Sequence, residues 1–491
     1  MRLFKVLLGS MLILINEPLY LYKENSQPDN FKQKTHESLN RFKRKNKVQG
    51  LAFAVFDKNE TLFSECLGKS TYGSKIDDKT IFSIQSISKN ITALAIMTAV
   101  QDGILNLDSS IIEYLPSFTV NSCFEDFPEQ KITLRMLLSH TAGFTHEAPI
   151  GSNYDYTHCN TKDHINSISK TWLKFPAGTN YSYSNLGFDL ASEIIAQKTG
   201  TSFSDYLKLK IFQPLSMTNT TADDNEVLLN KNRTEGFIPA VKKKHYSIPL
   251  PGSGAVYTSL SDFVKYTQLL MNYGEASNKP LIYKKYLYEM CKINIDNYGL
   301  GTYIDKINDI LYVNHNGGGF GYSATLLWFP EYDLGSVILC YRPCNTYDIC
   351  FSIMNEYIKT MGLSKNSNIT AVFDSINGYY FKNKINIDRQ KVFTCKCDSL
   401  FKPEWQRYVG KYTLTVKGME LKWYAKTARF FGFAYQRIRI IKAGQVLQID
   451  GYFGKSTLKE FEPGLFFTKD NETLDFRTDS PTFRNILIQK K

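Results

Sequence analysis

The chain has 491 residues, of which 43% are hydrophobic, 22% charged and 14% aromatic. That composition excludes a mainly disordered chain, and the length exceeds what one core fills, so two domains with terminal extensions are expected. The formal net charge of +12 is concentrated near the end, where residues 401–491 hold 17 Lys and Arg against 9 Asp and Glu. No nucleic-acid-binding motif accompanies it, so the excess reads as solvated basic faces and no nucleic acid is expected as partner.

The chain opens with Arg2 and Lys5 around an apolar run over residues 6–15. This run fits a signal-peptide core and is short for a membrane span. Residues 1–23 are therefore expected to be a signal peptide or an uncleaved membrane anchor, which places the protein outside the cell or on its surface. Residues 31–47 predict an amphipathic helix, and 50–57 with 61–68 a hairpin turning at Lys58-Asn59. Residues 91–100 form an apolar run that predicts a buried helix starting near Ser86 and ending at Asp102-Gly103. Residues 311–314, 322–329 and 335–340 read as strands, and 347–361 as a helix.

Strands at both ends of a largely helical stretch predict, for residues 30–365, an α/β layered domain whose sheet is closed by distant segments around a helical insertion. Residues 366–400 are expected to be a linker. Short β segments then recur at 408–416, 421–424, 430–441, 446–449, 458–461, 465–467 and 483–488, with turns at Gly410, Gly418, Gly444, Gly451 and Pro463-Gly464. This spacing predicts a small antiparallel barrel or sandwich over 401–491. The nine cysteines lack metal-ligand spacing, so no structural metal is expected. Local bridges among Cys340, Cys344 and Cys350, or between Cys123 and Cys159, stay open.

Ser86-Ile87-Ser88-Lys89 sets a hydroxyl and an amine three residues apart at the start of the buried helix, on one helical face. A serine attacks only when a base takes its proton, and burial at a helix start lowers a lysine's pKa enough for that role. The pattern alone is weak, because Ser167-Ile168-Ser169-Lys170 repeats it. Only the first copy runs into a buried helix. The second element, Pro176-Ala177-Gly178-Thr179-Asn180-Tyr181-Ser182-Tyr183-Ser184-Asn185, presents Tyr183 and Asn185 from a turn. Tyr183 beside a lysine cation is expected to be drawn toward phenolate, and Asn185 offers an amide to a substrate. The third, His315-Asn316-Gly317-Gly318-Gly319, follows a β segment, where glycines leave backbone N–H groups for an oxyanion.

The order S-x-x-K, Y-S-N, H-x-G resembles the β-lactamase-related serine hydrolases, which include class C β-lactamases, penicillin-binding proteins, D-aminopeptidases and esterases of the S12 peptidase type. Residues 132–144, the segment Ile211-Phe212-Gln213-Pro214-Leu215-Ser216-Met217 and Pro251-Gly252-Ser253-Gly254-Ala255 are similar to further family segments. The likeness runs over about residues 32–361. It implies an antiparallel sheet flanked by helices with a helical subdomain, and an acyl-enzyme formed on amide, ester or D-amino-acid-containing peptide substrates without metal or cofactor.

By the same resemblance Ser86 is the nucleophile, with Lys89 and Tyr183 as general bases and Asn185 orienting the substrate. His315 takes the place of a cation or donor, and the N–H groups of Ser86 and Gly318 form the oxyanion hole beside Asn316 and Gly317. His140 is structural. Gln85 and Asn316 depart from the family pattern and are expected to alter the pocket. Residues 401–491 resemble an appended lipocalin-like domain, in which Lys422, Lys426, Arg429, Arg437 and Arg439 offer a basic face for an acidic or membrane surface. The competing reading is a catalytically silent scaffold or secreted binding protein on the same fold.

Overall fold

The computed structural model describes residues 29–491 except 156, 158, 240, 242–244, 277–278, 384–392, 394–396, 416–436 and 452–453. The expected signal or anchor segment, the β segment at 421–424 and Lys422, Lys426 and Arg429 lie outside the described residues. Among those described, no helix is long and apolar enough to cross a membrane.

The hairpin of β1 (Gly50–Asp57) and β2 (Thr61–Gly68) forms as read, and so do β5 (Tyr322–Phe329), β6 (Leu334–Cys340) and the helix α5 (Tyr347–Met361). With β3 (Tyr303–Ile307) and β4 (Ile310–Gly319) these strands make one antiparallel sheet in the order β2-β1-β6-β5-β4-β3. The first hairpin joins the late strands through Leu51 opposite Cys340 and Val55 opposite Ser336. Chain segments nearly 300 residues apart therefore close the sheet, as the placement of strands at both ends of the region predicts.

Alternation along β1 divides two cores. Leu51, Phe53 and Val55 pack under α1 (Asp29–Lys45) and α5, where Phe31 meets Tyr357 at 4.9 Å. Ala52, Ala54 and Phe56 face the larger core around α2 (Ser88–Gln101). Every residue of α2 from Ser88 to Ala99 is buried, so it is a core helix apolar on nearly all sides. A single 3₁₀ turn, Gln85–Ile87, leads into it, and Gly103 at φ 72° follows its end, a conformation a glycine adopts freely. Within the larger domain, α3 (Leu186–Thr199) and α4 (Leu260–Met271) pack into the same core.

Part of the stretch expected as a linker is helical. Residues Ser367–Asn383 form α6, which docks through buried Phe373 and through Asn377, whose Nδ2 donates to the Cys291 carbonyl at 2.9 Å. The pull of a few apolar positions in a polar helix was too slight to read from pattern. Among the described residues the terminal segment forms a closed eight-stranded antiparallel barrel, so the alternative of a sandwich is not realised. Its interior is filled by Trp405, Ile438, Ile440, Leu447, Ile449, Leu458 and Phe466. One strand, Thr473–Asp475, is too short for a sequence pattern to show.

The cysteine expectation is corrected: Cys159, Cys340, Cys344 and Cys350 are free, whereas Cys123 is disulfide-bonded. Cys340 and Cys350 are buried in the sheet core as small apolar side chains.

A polar knot fastens the loop after residue 230 to the domain. Glu235 accepts from Arg233 at 2.9 Å and Tyr72 at 2.6 Å, while His245 sits between Asp224 (2.7 Å) and Glu235 (3.2 Å). Burial works against the imidazolium, yet the two carboxylates raise its pKa to about 9. A folded-state pKa above the ordinary value contributes stability that is complete below about pH 6.5 and lost as pH rises through about 9. His245→Gln should therefore lower the melting temperature clearly at pH 6.5 and hardly at pH 10, as read by calorimetry.

Candidate active site

Gln85, the first residue of the 3₁₀ turn, holds φ 50°. Its Nε2 donates to Ser83 Oγ at 2.7 Å, which helps hold a non-glycine residue in a left-handed backbone. The same turn carries Ser86, partly exposed, and the first turn of α2 carries Lys89, with no exposed surface. The lysine's three hydrogen bonds are all made inside the protein: to Ser86 Oγ at 3.3 Å, Asn185 Oδ1 at 2.8 Å and the Ser253 carbonyl at 3.0 Å.

Burial is the main force on this amine and pushes its pKa down to about 7, with Asp189 and Glu147 resisting the shift. A move from 10.5 to about 7 amounts to roughly 5 kcal/mol against the charged form. Asp189 acts from behind, its Oδ1 accepting from the N–H groups of Gly252 (3.1 Å) and Ser253 (2.9 Å). Its other oxygen meets His164 Nε2 at 3.0 Å, and both side chains are fully enclosed. Asp189 and His164 carry no sequence signal of their own, yet they position the carbonyl that holds Lys89.

Tyr183 neighbours Ser86, which works against the rise in its pKa, and Lys89 Nζ lies 5.0 Å from its ring centroid. The expectation of a phenolate is overturned. Burial raises the Tyr183 pKa well above the ordinary phenol value, so the group keeps its proton. The cation meant to draw that proton off is itself held only in part near neutrality, because burial lowers the Lys89 pKa to about 7. His140 packs on Tyr183 with ring centroids 4.3 Å apart, and its Nδ1 accepts from the Ser184 N–H at 3.1 Å. That is a supporting position, as its sequence context suggested.

Asn185 opens α3, and among the described residues its Nδ2 has no partner. His315 and Gly317 share one face of β4, and Asn316 and Gly318 the other. A cation at His315 is not what forms: burial and the nearby Lys89 push its pKa down to about 3. Its ring nitrogens contact the Asn316 carbonyl at 2.8 Å and the Tyr298 hydroxyl at 3.2 Å, so it braces the wall of the site. Asn316 turns away as well, since its Oδ1 accepts from Thr325 Oγ1 at 2.8 Å. Gly317 is required by contact, because a Cβ there would lie 1.9 Å from the Ile84 carbonyl oxygen, two residues before Ser86. Gly318, opposite Ser323 in β5, has open space where a side chain would stand. The structure thus brings Ser86, Lys89, Tyr183 and Asn185 together, sets Gly317 against them, and leaves Asn316 outside. The second copy of the serine–lysine pattern is a different environment, with Ser167 Oγ donating to the His164 carbonyl at 2.7 Å.

The Beta-lactamase family model matches residues 33–346, which include all of these groups. The chain belongs to the Beta-lactamase family. Among curated relatives it is similar to Beta-lactamase-like protein 4 of Dictyostelium discoideum, 26% identical over 323 residues, covering 59% of this chain and 56% of the relative. It is also similar to Protein flp of Staphylococcus aureus, 25% identical over 309 residues and 60% of each chain. The chain thus spans less than two thirds of the length of these relatives. Among solved structures, the octameric penicillin-binding protein homologue from Pyrococcus abyssi shares the fold at TM-score 0.59 and 18% identity, over 92% of this chain and 95% of that one.

The unequal surroundings of Gly317 and Gly318 make a sharp expectation for this chain. Gly317→Ala should displace the strand from the serine turn at a cost of about 1–3 kcal/mol, whereas Gly318→Ala should leave the melting temperature nearly unchanged. Thermal melts of the two variants side by side check the contrast.

Proposed function

We propose that the protein is a serine hydrolase that forms an acyl-enzyme on Ser86, acting on a small-molecule or peptide amide, ester or D-amino-acid-containing substrate. The observation that carries this reading is a wholly buried lysine, with a pKa near 7, hydrogen-bonded to the hydroxyl it would deprotonate. A base poised near the working pH is the most effective one, since its free form is abundant while its proton affinity is still useful.

In this reading neutral Lys89 takes the Ser86 proton as Oγ attacks the carbonyl. The N–H groups of Ser86 and Gly318 receive the developing oxyanion, and Asn185 Nδ2 donates to the substrate. Tyr183, which stays protonated, hands its proton to the leaving group and is reprotonated from Lys89. Membership of the family and the shared fold support the assignment. Among the described residues no group of three His, Cys, Asp or Glu is arranged to hold a metal ion, and no metal or cofactor enters these steps.

The test is labelling by a fluorophosphonate probe across pH. Wild type should react with a rate that rises through a midpoint near 7 and then levels, because only unprotonated Lys89 accepts the proton. Ser86→Ala should abolish labelling. Labelling that persists in Ser86→Ala, or a wild type that never reacts, would contradict the proposal and favour a silent scaffold.

A further inference from the structure

One pair beside the serine is absent from the acylation steps. Glu147 is a carboxylate with 3% of its surface exposed, accepting from the Asn153 N–H at 3.1 Å and Asn153 Nδ2 at 2.9 Å. Its remaining polar contact is His146 Nδ1 at 2.6 Å. Burial disfavours its charge, but His146 and Asn153 hold its pKa below the ordinary carboxylate value. With Nδ1 donating to that carboxylate, the imidazole is set in the tautomer whose Nε2 carries the free lone pair. Among the described residues Nε2 has no partner.

The position of the ring matters as much as its tautomer. His146 stacks on Tyr183, with centroids 5.7 Å apart and planes at 24°, and Tyr183 neighbours Ser86. The backbone is pinned to the same site, since the His146 carbonyl accepts from the Asn185 N–H at 3.3 Å. Lys89, His140, His315, Glu147 and Asp189 are all buried, whereas the His146 side chain is 33% exposed. It is therefore the group of this set that meets solvent water.

We propose that His146, oriented by Glu147, is the base that takes the proton of the water which hydrolyses the acyl group from Ser86. This rests on the hydrolase reading and adds the second half-reaction to it. Water oxygen bonds to the acyl carbon as one of its protons passes to His146 Nε2. The tetrahedral oxyanion then collapses, the bond from carbon to Ser86 Oγ breaks, and Oγ takes the Tyr183 hydroxyl proton. The His146 proton restores Tyr183, so the cycle closes with a free acid and no net change in the protein.

The experiment uses the full chain with p-nitrophenyl butyrate as probe, followed by stopped flow and intact-mass measurement. His146→Gln should keep a burst of about one nitrophenolate per protein, hold a butyryl adduct on Ser86, and turn over about 10²-fold or more below wild type. His146→Ala should regain turnover on addition of imidazole, which a purely structural role would not allow. Turnover of His146→Gln within about threefold of wild type overturns the proposal. So does His146→Ala in which burst and steady state fall together and imidazole restores neither. A wild type that releases no nitrophenolate, or releases it equally well as Ser86→Ala, overturns the hydrolase reading itself, a result distinct from either.

Discussion

The enclosure of the Lys89 amine is the constraint on which the site depends. An ammonium with no water around it is costly, and here the surroundings supply two carbonyl-type oxygens and one hydroxyl in place of a paired carboxylate. Asp189 is close enough to moderate the shift but is turned toward backbone N–H groups and His164. The result is an amine that is neither a fixed cation nor expelled to solvent. The full burial of α2, the left-handed Gln85 and the closeness of Gly317 to Ile84 all serve to keep that amine beside Ser86.

The barrel belongs to this account because it touches the residues behind the site. Asn485 Nδ2 donates to the Glu147 carbonyl at 2.8 Å, and Glu472 accepts from Thr145 Oγ1 at 3.0 Å and from Lys174 at 2.8 Å. Trp172 packs edge-on against Phe461 and Phe467 at 5.4 and 5.8 Å. Residues 145–147 therefore lie between the barrel and Tyr183, and the second domain fixes the backbone that bears His146. A buried Glu472 holding both Lys174 and Arg484 makes this junction polar and specific in register.

What the sequence showed and what it hid divide along physical lines. Elements set by local pattern were legible: the first hairpin, the strand 322–329 and the helix 347–361 have the same ends in pattern and structure. So was the closeness of Ser86 and Lys89, because helical spacing and an apolar run are local facts. The side-chain roles that failed all turn on burial, which no short pattern reports. Tyr183 keeps its proton, His315 is discharged, and Asn316 faces Thr325 because of what packs over them from elsewhere. His146, Glu147 and Asp189 escaped for a related reason, since each gains meaning only through a partner or ring that the fold brings to it.

The most direct measurement is the ionisation of Lys89 itself, followed by NMR on protein carrying ¹³C at the lysine ε position, with Lys89→Arg assigning the resonance. A midpoint near 7 is the predicted result. A value near 10.5 would mean that the amine stays charged at neutral pH, and would contradict the account of the site as a lysine-driven serine nucleophile.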